Sequence, residues 1–494
     1  MKSGNVLAFD FGASSGRAMI AGVKDGKIFM EEIHRFSNDP VMVRGCLYWD
    51  VLRLFHEIKQ GITAAVNSGY GFDCIGIDTW GVDFGLIDEK GNLLANPVNY
   101  RDLRNEPMPA EVDKIISKKD LYARNGLQRM AFNTVYQLYY LAKYEPELLA
   151  RTDKMLFMPD LFAYFLTGKK RMEHTIASTS GFINPKTRKP DSELLSMLKI
   201  PESILPEMIN PAESYGELSA EICEELHCNP VPVFAVATHD TASAVAATPT
   251  FNDDYIYISC GTWSLFGTVL DKPVLDEQSA EIGFTNEGAY DGKIRYLKNI
   301  MGLWLIQQSR QEWKRQGLNV SFDDMENAAK AAEPFKCFVN PDDPMFSLPG
   351  NMPKRVQKYC SQTGQYVPKD MGEILRCIYQ SLAMKYKLTF EHLQKISGKK
   401  YDCIHMIGGG IKDQLLCSMT AAACGVSIKA GPVEATVTGN VLVLMKANGL
   451  IKDYAQGKKL VVDGTEIKEY KPCDSDVWQA NYENAVNAFN ANNK

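Results

Sequence analysis

A strand, a turn of small residues and a returning strand occur twice in this chain, once at its start and once just past its middle. Val6–Phe11 reads as an apolar strand that ends in Gly12-Ala13-Ser14-Ser15-Gly16, and Arg17–Val23 as its return. Tyr255–Ser259, Cys260-Gly261-Thr262 and Trp263–Val269 repeat the pattern, with Gly261 placed 249 positions after Gly12 in a chain of 494. A polar connector that contains Pro, Thr248–Asp254, precedes the second copy. The spacing predicts a duplicated domain, with units 1–247 and 248–494. Two hairpins also arise by chance in αβ proteins, so the prediction depends on the elements downstream of each hairpin. In the first half these are helical spacing around Trp49–Val66, a strand Cys74–Asp78, a mostly helical stretch Glu106–Leu166 and an apolar strand Val231–Ala237. In the second they are helices near Asn299–Gln316 and Met371–Ile396, and a strand Cys403–Ile407. Phe335–Lys369, rich in Pro, Gly and Asp, reads as a long ordered loop. Strands alternating with helices predict an α/β fold.

Composition narrows the class of function. With 54 basic and 60 acidic residues the net charge is −6, so the bulk positive field of a nucleic-acid binder is missing. No run of 18 apolar residues predicts a membrane span. The N-terminal apolar run follows a single Lys2 and is broken by Asp10, unlike a secretory signal. The 12 cysteines contain no Cys-x-x-Cys pair and read as buried reduced thiols rather than a disulfide frame or zinc site. These features predict a cytoplasmic, multidomain, soluble protein; its expected partners are small molecules, with the chain a monomer or homodimer. Asp-Phe-Gly occurs at Asp10 and again at Asp83, but no His-Arg-Asp loop accompanies it, and no P-loop, His-Glu-x-x-His or Gly-x-Gly-x-x-Gly is present.

Five segments carry candidate chemistry. In Asp10-Phe11-Gly12-Ala13-Ser14-Ser15-Gly16-Arg17 the turn can offer backbone N–H groups and hydroxyls to an anion. Arg17 could fork to a phosphate and Asp10 could hold Mg²⁺, directly or through water. A plain hairpin whose serines satisfy their own backbone reads equally well. Cys260-Gly261-Thr262-Trp263-Ser264 is a second such turn. His239-Asp240-Thr241 stands where a strand meets a helix, the place where α/β folds form ligand clefts. Asp240 there could accept a proton from a hydroxyl, or it could simply cap the helix. Gly408-Gly409-Gly410 allows close backbone approach by a flat ring or a phosphate, and Asp78-Thr79-Trp80-Gly81-Val82-Asp83 could line a sugar site or belong to the core.

In this order and spacing the segments resemble the FGGY carbohydrate kinases. Asp10–Arg17, Asp78–Asp83 and His239–Ala244 carry the resemblance most specifically. Ser259–Leu265, Leu297–Trp304, Asn340–Met352, Gly408–Gly410, Ala430–Thr436 and Gly439-Asn440 extend it over nearly the whole chain. The resemblance implies two actin-like, ribonuclease-H-like α/β domains with a catalytic cleft between them, the first for the sugar and the base, the second for the nucleotide. It implies transfer of the γ-phosphoryl group of ATP, with Mg²⁺, to the C1 hydroxyl of a ketose, L-rhamnulose. By the same resemblance Asp240 would be the general base, and Gly81, His239, Thr241 and Asn299 would contact the sugar. Ala13, Ser14, Ser15, Gly16 and Arg17 would contact the nucleotide together with Thr262, Gln307 and Gly409, and Asp10 would be the metal site. One departure is Thr420, where a second cysteine before Cys424 would be needed for a short-range disulfide.

The expected chemistry is positioning and charge neutralisation, because phosphoryl transfer passes through a loose transition state. As the first residue of a helix, Asp240 is expected to have a lowered pKa and to be a weak base. A sister kinase for L-fuculose, L-xylulose or glycerol, a non-catalytic sensor and an actin- or chaperone-like ATPase are the alternatives.

Overall fold

The computed structural model describes residues 4–491, so Lys2 lies outside the described residues. The chain forms two compact units. The first comprises the segment ending at Phe251, Val269–Leu297 and Glu434–Thr465; the second comprises Asn252–Thr268, Lys298–Val433 and the segment from Glu466. The first crossing, at Phe251, lies close to the expected break at 247/248, and two later segments return to the first unit.

In the first unit β1 (Asn5–Phe11), β2 (Ser15–Lys24) and β3 (Lys27–Ser37) form a meander, followed by α1 (Val51–Asn67), β4 (Ile75–Thr79), α2 (Met158–Thr167), β5 (Ser214–Glu217), β6 (Pro232–Phe234) and α3 (Asp240–Ala246). The sheet order is β5-β6-β4-β1-β2-β3. The second unit begins with β7 (Ile256–Cys260) and β8 (Trp263–Leu270). A hairpin of β9 (Thr285–Gly288), which belongs to the first unit, and β10 (Ile294–Met301), along which the chain returns to the second, comes next, then α4 (Trp304–Arg315), α5 (Met352–Gln362), α6 (Met371–Ser397), β11 (Cys403–Ile407), α7 (Gln414–Cys424) and β12 (Ser427–Ala430). Helix α8 (Ala435–Ala447) belongs to the first unit and β13 (Lys468–Tyr470) to the second.

The ladders establish the duplication. β2-β1-β4-β6-β5 runs antiparallel, parallel, parallel, antiparallel. β8-β7-β11-β12-β13 repeats that sequence of orientations step for step. Both units thus have a parallel centre with antiparallel flanks, an arrangement that requires both faces of the centre to be covered.

Period-two alternation supplies that cover in the first unit. Leu7, Phe9 and Phe11 pack with Leu54, Ile58 and Ile62 of α1, whereas Val6 and Ala8 pack with Val437, Val441 and Leu444 of α8. Helix α8 also crosses α3 in backbone contact, for a Cβ built on Gly439 would stand 1.7 Å from the Ser243 carbonyl oxygen.

Four expectations need correction. Phe335–Lys369 is not a loop throughout, since α5 lies within it. Asn351 accepts from the Lys354 N–H, Pro353 occupies the first turn where its missing N–H costs nothing, and Met352, Val356, Tyr359 and Cys360 bury one face. The helix expected from Asn299 starts at Trp304, because Asn299 lies on β10. A strand, Lys154–Phe157, interrupts the helical stretch before α2. Of Val231–Ala237 only Pro232–Phe234 joins the ladder. Among the described residues no helix is long and apolar enough to cross a membrane.

The close crossing predicts that Gly439→Ala destabilises the first unit by about 1–3 kcal/mol or more, the usual cost of overpacking. Urea denaturation checks this, and an unchanged midpoint would contradict the contact.

Candidate active site

Carboxylates gather where β1 and β4 end. Asp10 and Asp78 are direct partners in the parallel ladder. Asp78 is fully buried, and its Oδ2 accepts from Asn440 Nδ2 of α8 at 2.6 Å while its Oδ1 has no hydrogen-bond partner. Burial first, and the Asp10 charge second, push the Asp78 carboxyl well above the ordinary range. Asp10 Oδ2 accepts from Arg17 Nε at 3.1 Å and Nη2 at 2.9 Å, and Arg17 Nη1 is paired with Glu434. The guanidinium expected to stand ready for a phosphate is therefore held by two carboxylates, which leaves N–H groups on Nη1 and Nη2 still available.

Asp240 opens α3 but does not cap it. His239 occupies the cap position without a side-chain bond, and Asp240 Oδ1 accepts from its neighbour Thr241, from N–H at 2.5 Å and from the hydroxyl at 3.1 Å. Burial pushes the Asp240 carboxyl up to about 7, and the charge of Asp10 adds to it. This corrects the lowered value expected at a helix N-terminus. Desolvation outweighs the helix dipole and the two Thr241 donors. The side chain keeps 29% of its surface accessible, so a hydroxyl can reach it.

His239 Nε2 lies 3.3 Å from Asp240 Oδ1, and Arg295 Nη2 lies 3.0 Å from His239 Nδ1. Since guanidinium can only donate, Nδ1 accepts and Nε2 carries the ring proton toward Asp240. Burial and the Arg295 charge push His239 well below its ordinary value, so the ring is neutral. Arg295, fully buried, also binds Glu287 Oε2 at 2.9 Å across the β9–β10 ladder. Buried Glu173 fixes the approach to His239 by accepting from the N–H groups of Thr175, Ile176 and Thr238 and from both Thr hydroxyls.

Gly81 faces His239, and a Cβ built there would be 3.3 Å from Nε2. The next residue, Val82, has φ +68° inside a tight turn closed by the Asp83 N–H on the Gly81 carbonyl at 2.9 Å. Asp83 is fully buried and accepts from the indoles of Trp49 at 2.6 Å and Trp80 at 3.0 Å, from Tyr100 N–H and from Gln137. Burial pushes it to about 7. Asp83 and both Trp side chains are buried, which favours the core reading for them and leaves Gly81 as the open position of this segment.

The first turn is a hairpin in which Gly12 N–H bonds the Ser15 carbonyl at 2.9 Å, while Asn38 Nδ2 holds the Gly12 carbonyl at 2.8 Å. Ala13 and Ser14 form its tip; Ser15, Gly16 and Arg17 lie in β2. In the second unit the Thr262 hydroxyl donates to Gln307 Oε1 at 3.3 Å, which joins two of the expected nucleotide residues. Of the three glycines, Gly408 and Gly410 pack on Cys260, where Cβ atoms would come within 3.1 Å and 2.5 Å of it. Only Gly409 faces open space. Asn299 lies on β10 in the second unit, unlike Gly81, His239 and Thr241 in the first. Arg295, Glu287, Glu173, Asn440 and Glu434 have no site role in the sequence reading; for Asn440 and Glu434 the available signal is their place in segments that carry the resemblance.

The duplicated α/β architecture and the carboxylate–imidazole cluster define a phosphotransferase of the actin-like class. Residues 5–247 match the N-terminal domain, and residues 256–447 the C-terminal domain, of the FGGY family of carbohydrate kinases, and the chain belongs to that family. It is 40% identical to a rhamnulokinase of Bacteroides thetaiotaomicron over 97% of this chain and 98% of that one. It is 39% identical to a rhamnulokinase of Bacillus subtilis over 95% and 96%. Among solved structures it is similar to a ligand-bound xylulose kinase from Lactobacillus acidophilus, with TM-score 0.83, 17% identity and coverage of 99% and 98%. It is also similar to Plasmodium falciparum glycerol kinase with ADP, with TM-score 0.78, 15% identity and coverage of 98% and 97%. As a carbohydrate kinase it is a phosphotransferase with ATP as cosubstrate.

Arg295→Met should destabilise the protein by about 3–5 kcal/mol, because it leaves Glu287 buried without its partner. Urea unfolding measures that loss. The double variant with Glu287→Met should recover most of it, and NMR titration of His239 should show its pKa rising once the Arg295 charge is gone.

Proposed function

We propose that this enzyme transfers the γ-phosphoryl group of ATP to the C1 hydroxyl of L-rhamnulose, giving L-rhamnulose 1-phosphate and ADP. The observation that carries the reading is the near-complete match to relatives named rhamnulokinase, at 40% and 39% identity. The Asp240–His239 geometry supports the chemistry. A carboxyl that titrates near pH 7 suits a general base, because it is ionised enough to accept a proton and basic enough to hold it. The C1 oxygen forms its bond to phosphorus as the bond to the ADP oxygen breaks, and the proton of the C1 hydroxyl passes to Asp240. His239 Nε2–H and the Thr241 hydroxyl would orient the sugar, and Gly81 would leave room for it beside the imidazole. Asn299 would also contact the sugar.

Ala13 to Arg17, Thr262, Gln307 and Gly409 would bind the nucleotide. Residues 1–247 would thus supply the base, most of the sugar contacts and the Ala13–Arg17 turn, and residues 248–494 the remaining nucleotide contacts. Hard oxygen donors suit Mg²⁺, and Asp10, with Asp78 beside it holding an unpartnered buried Oδ1, fits such an ion. When bound, the ion would supply positive charge to the transferred phosphoryl group. Free ketose and ATP would be the partners, and the enzyme would work in the cytoplasm as a monomer or homodimer. A sensor on the same fold has no use for a base with the raised pKa of Asp240.

ADP release measured across L-rhamnulose, L-fuculose, L-xylulose and glycerol tests the substrate. Higher kcat/KM on any of the other three would sink the assignment. A separate outcome concerns Asp240. Asp240→Asn should lower kcat by about 10²–10⁴-fold while sugar binding survives, since base catalysis contributes about that much. In wild-type enzyme kcat/KM should climb about tenfold per pH unit below 7 and level off above it. The sign for stability is opposite. A carboxyl raised from 3.8 to about 7 stabilises the fold fully below the lower value and loses that contribution as pH rises through the higher one. Asp240→Asn should therefore melt above wild type at pH 8, and calorimetry checks this.

A further inference from the structure

A histidine that moves protons commonly donates Nδ1–H to a carboxylate or a carbonyl, which stabilises its imidazolium. His239 has the opposite arrangement. Its Nδ1 accepts from Arg295 Nη2 at 3.0 Å. Two further bonds fix the guanidinium, Nε to the Gly288 carbonyl at 2.8 Å and Nη2 to Glu287 Oε2 at 2.9 Å. A carboxylate does stand close by, since Glu287 Oε2 is 3.5 Å from the same Nδ1, but Arg295 occupies both. Arg295, Glu287 and His239 are buried, so water does not screen these charges.

The other charges around the ring are all negative. Asp240 Oδ1 lies 3.3 Å from His239 Nε2. Glu173 bonds the N–H of Thr238, the residue before His239, and Asp10 and Asp78 at the ends of β1 and β4 act on Asp240. All of these residues belong to the first unit. Without Arg295 the carboxylates would together draw a second proton onto the ring. An imidazolium so close would then weaken the base, because an opposite charge within about 4–6 Å lowers a carboxyl by about 1–3 pH units. Arginine suits the position because its own proton cannot be given up to relieve the site.

We propose that Arg295 is a positioning residue for phosphoryl transfer: by occupying His239 Nδ1 it holds the imidazole as a fixed Nε2–H donor, so that Asp240 stands beside a neutral ring and not beside a cation. Arg295 acts through His239. The step it serves moves one proton, from the acceptor hydroxyl to Asp240, and His239 neither gains nor loses a proton in it. The inference rests on the reading of Asp240 as the base and on no particular sugar.

Imidazole ¹⁵N spectra of the full-length protein between about pH 5 and 8 test the first half. His239 should keep Nδ1 bare and Nε2 protonated throughout. A titrating ring, or an Nδ1–H tautomer, in the wild-type protein would overturn the proposal. Kinetics test the second half. Arg295→Met/Glu287→Met removes the guanidinium without leaving Glu287 buried and unpaired. With the best ketose substrate and constant Mg²⁺, its kcat should fall at least about tenfold, a part of the roughly 10²–10⁴-fold that a base supplies. The acid limb of kcat/KM should move about 1–3 pH units lower. A purely structural role predicts that activity returns with stability. A double variant with wild-type melting temperature, kcat and pH profile would therefore also overturn the proposal. Failure of the underlying reading looks different: unimpaired kcat in Asp240→Asn removes the base itself. Should the double variant not fold, the wild-type ring spectra decide.

Discussion

Burial of carboxylates at the ends of β1 and β4 is the constraint around which the first unit is organised. An ionised carboxylate in a dry interior is costly unless donors replace its water. Each buried acid here answers that cost differently. Glu173 collects five donors, and Asp83 takes two indoles, one backbone N–H and one amide. Asp78 has only Asn440, so burial wins and its carboxyl is pushed well above the ordinary range. The Asn440 amide also bonds the Phe9 carbonyl at 3.2 Å, which fastens α8 to the neighbouring strand ends. The returning helix is therefore part of the site's foundation and not an appendage to it. Its near contact with α3 at Gly439 carries the same constraint to the helix that Asp240 opens.

The duplicated ladders show how one topology carries two different sets of strand-end residues. Asp10 and Asp78 face one another across β1 and β4, and Ser259 and Ile407 are the corresponding partners across β7 and β11. Charge appears once, at the strand ends of the first unit. The second unit has neutral residues there, and its glycine turn uses two of three glycines for packing against Cys260. A triple glycine thus tells of a tight strand crossing as much as of a ligand, and the open backbone is confined to Gly409.

Elements with strong periodicity were legible in the sequence. The hairpins at Gly12 and Gly261, α1, α6 and β11 lie where alternation and helical spacing put them, because local pattern and tertiary burial agree there. Asp240 at the start of a helix was legible too, but the direction of its pKa was not, since desolvation depends on neighbours distant in the chain. Arg295 and Glu287 carry no local signal: eight residues apart, they read as ordinary strand charges until the hairpin turns them toward His239. α5 was hidden because Pro353 reads as a breaker, although it occupies a first turn where proline is tolerated. The meeting of Cys337, Cys360 and Cys377, whose sulfurs lie within 4.8 Å of one another, was hidden for a related reason. Spacings of 23 and 17 residues match no ligand motif, and only the packing of α5 on α6 brings the three sulfurs together.

The most costly local geometry sits beside the imidazole. A β-branched residue with φ near +68° is unfavourable by about 1–3 kcal/mol, and Val82 holds it. Such a conformation persists only if the surroundings fix it from several sides. The Val82 carbonyl accepts from the Thr134 hydroxyl at 2.7 Å and from Gln137 at 3.4 Å, and its N–H approaches the Thr179 hydroxyl at 3.3 Å. Asp83, one residue on, is locked by the paired indoles of Trp49 and Trp80, whose ring centres are 4.2 Å apart. These contacts come from several separate segments, so the turn cannot relax without more than one of them giving way together. The consequence is positional. Gly81 is held with its face open to His239, and the space beside Nε2 is set by the core beneath it rather than by the mobile side chains that usually line a ligand site.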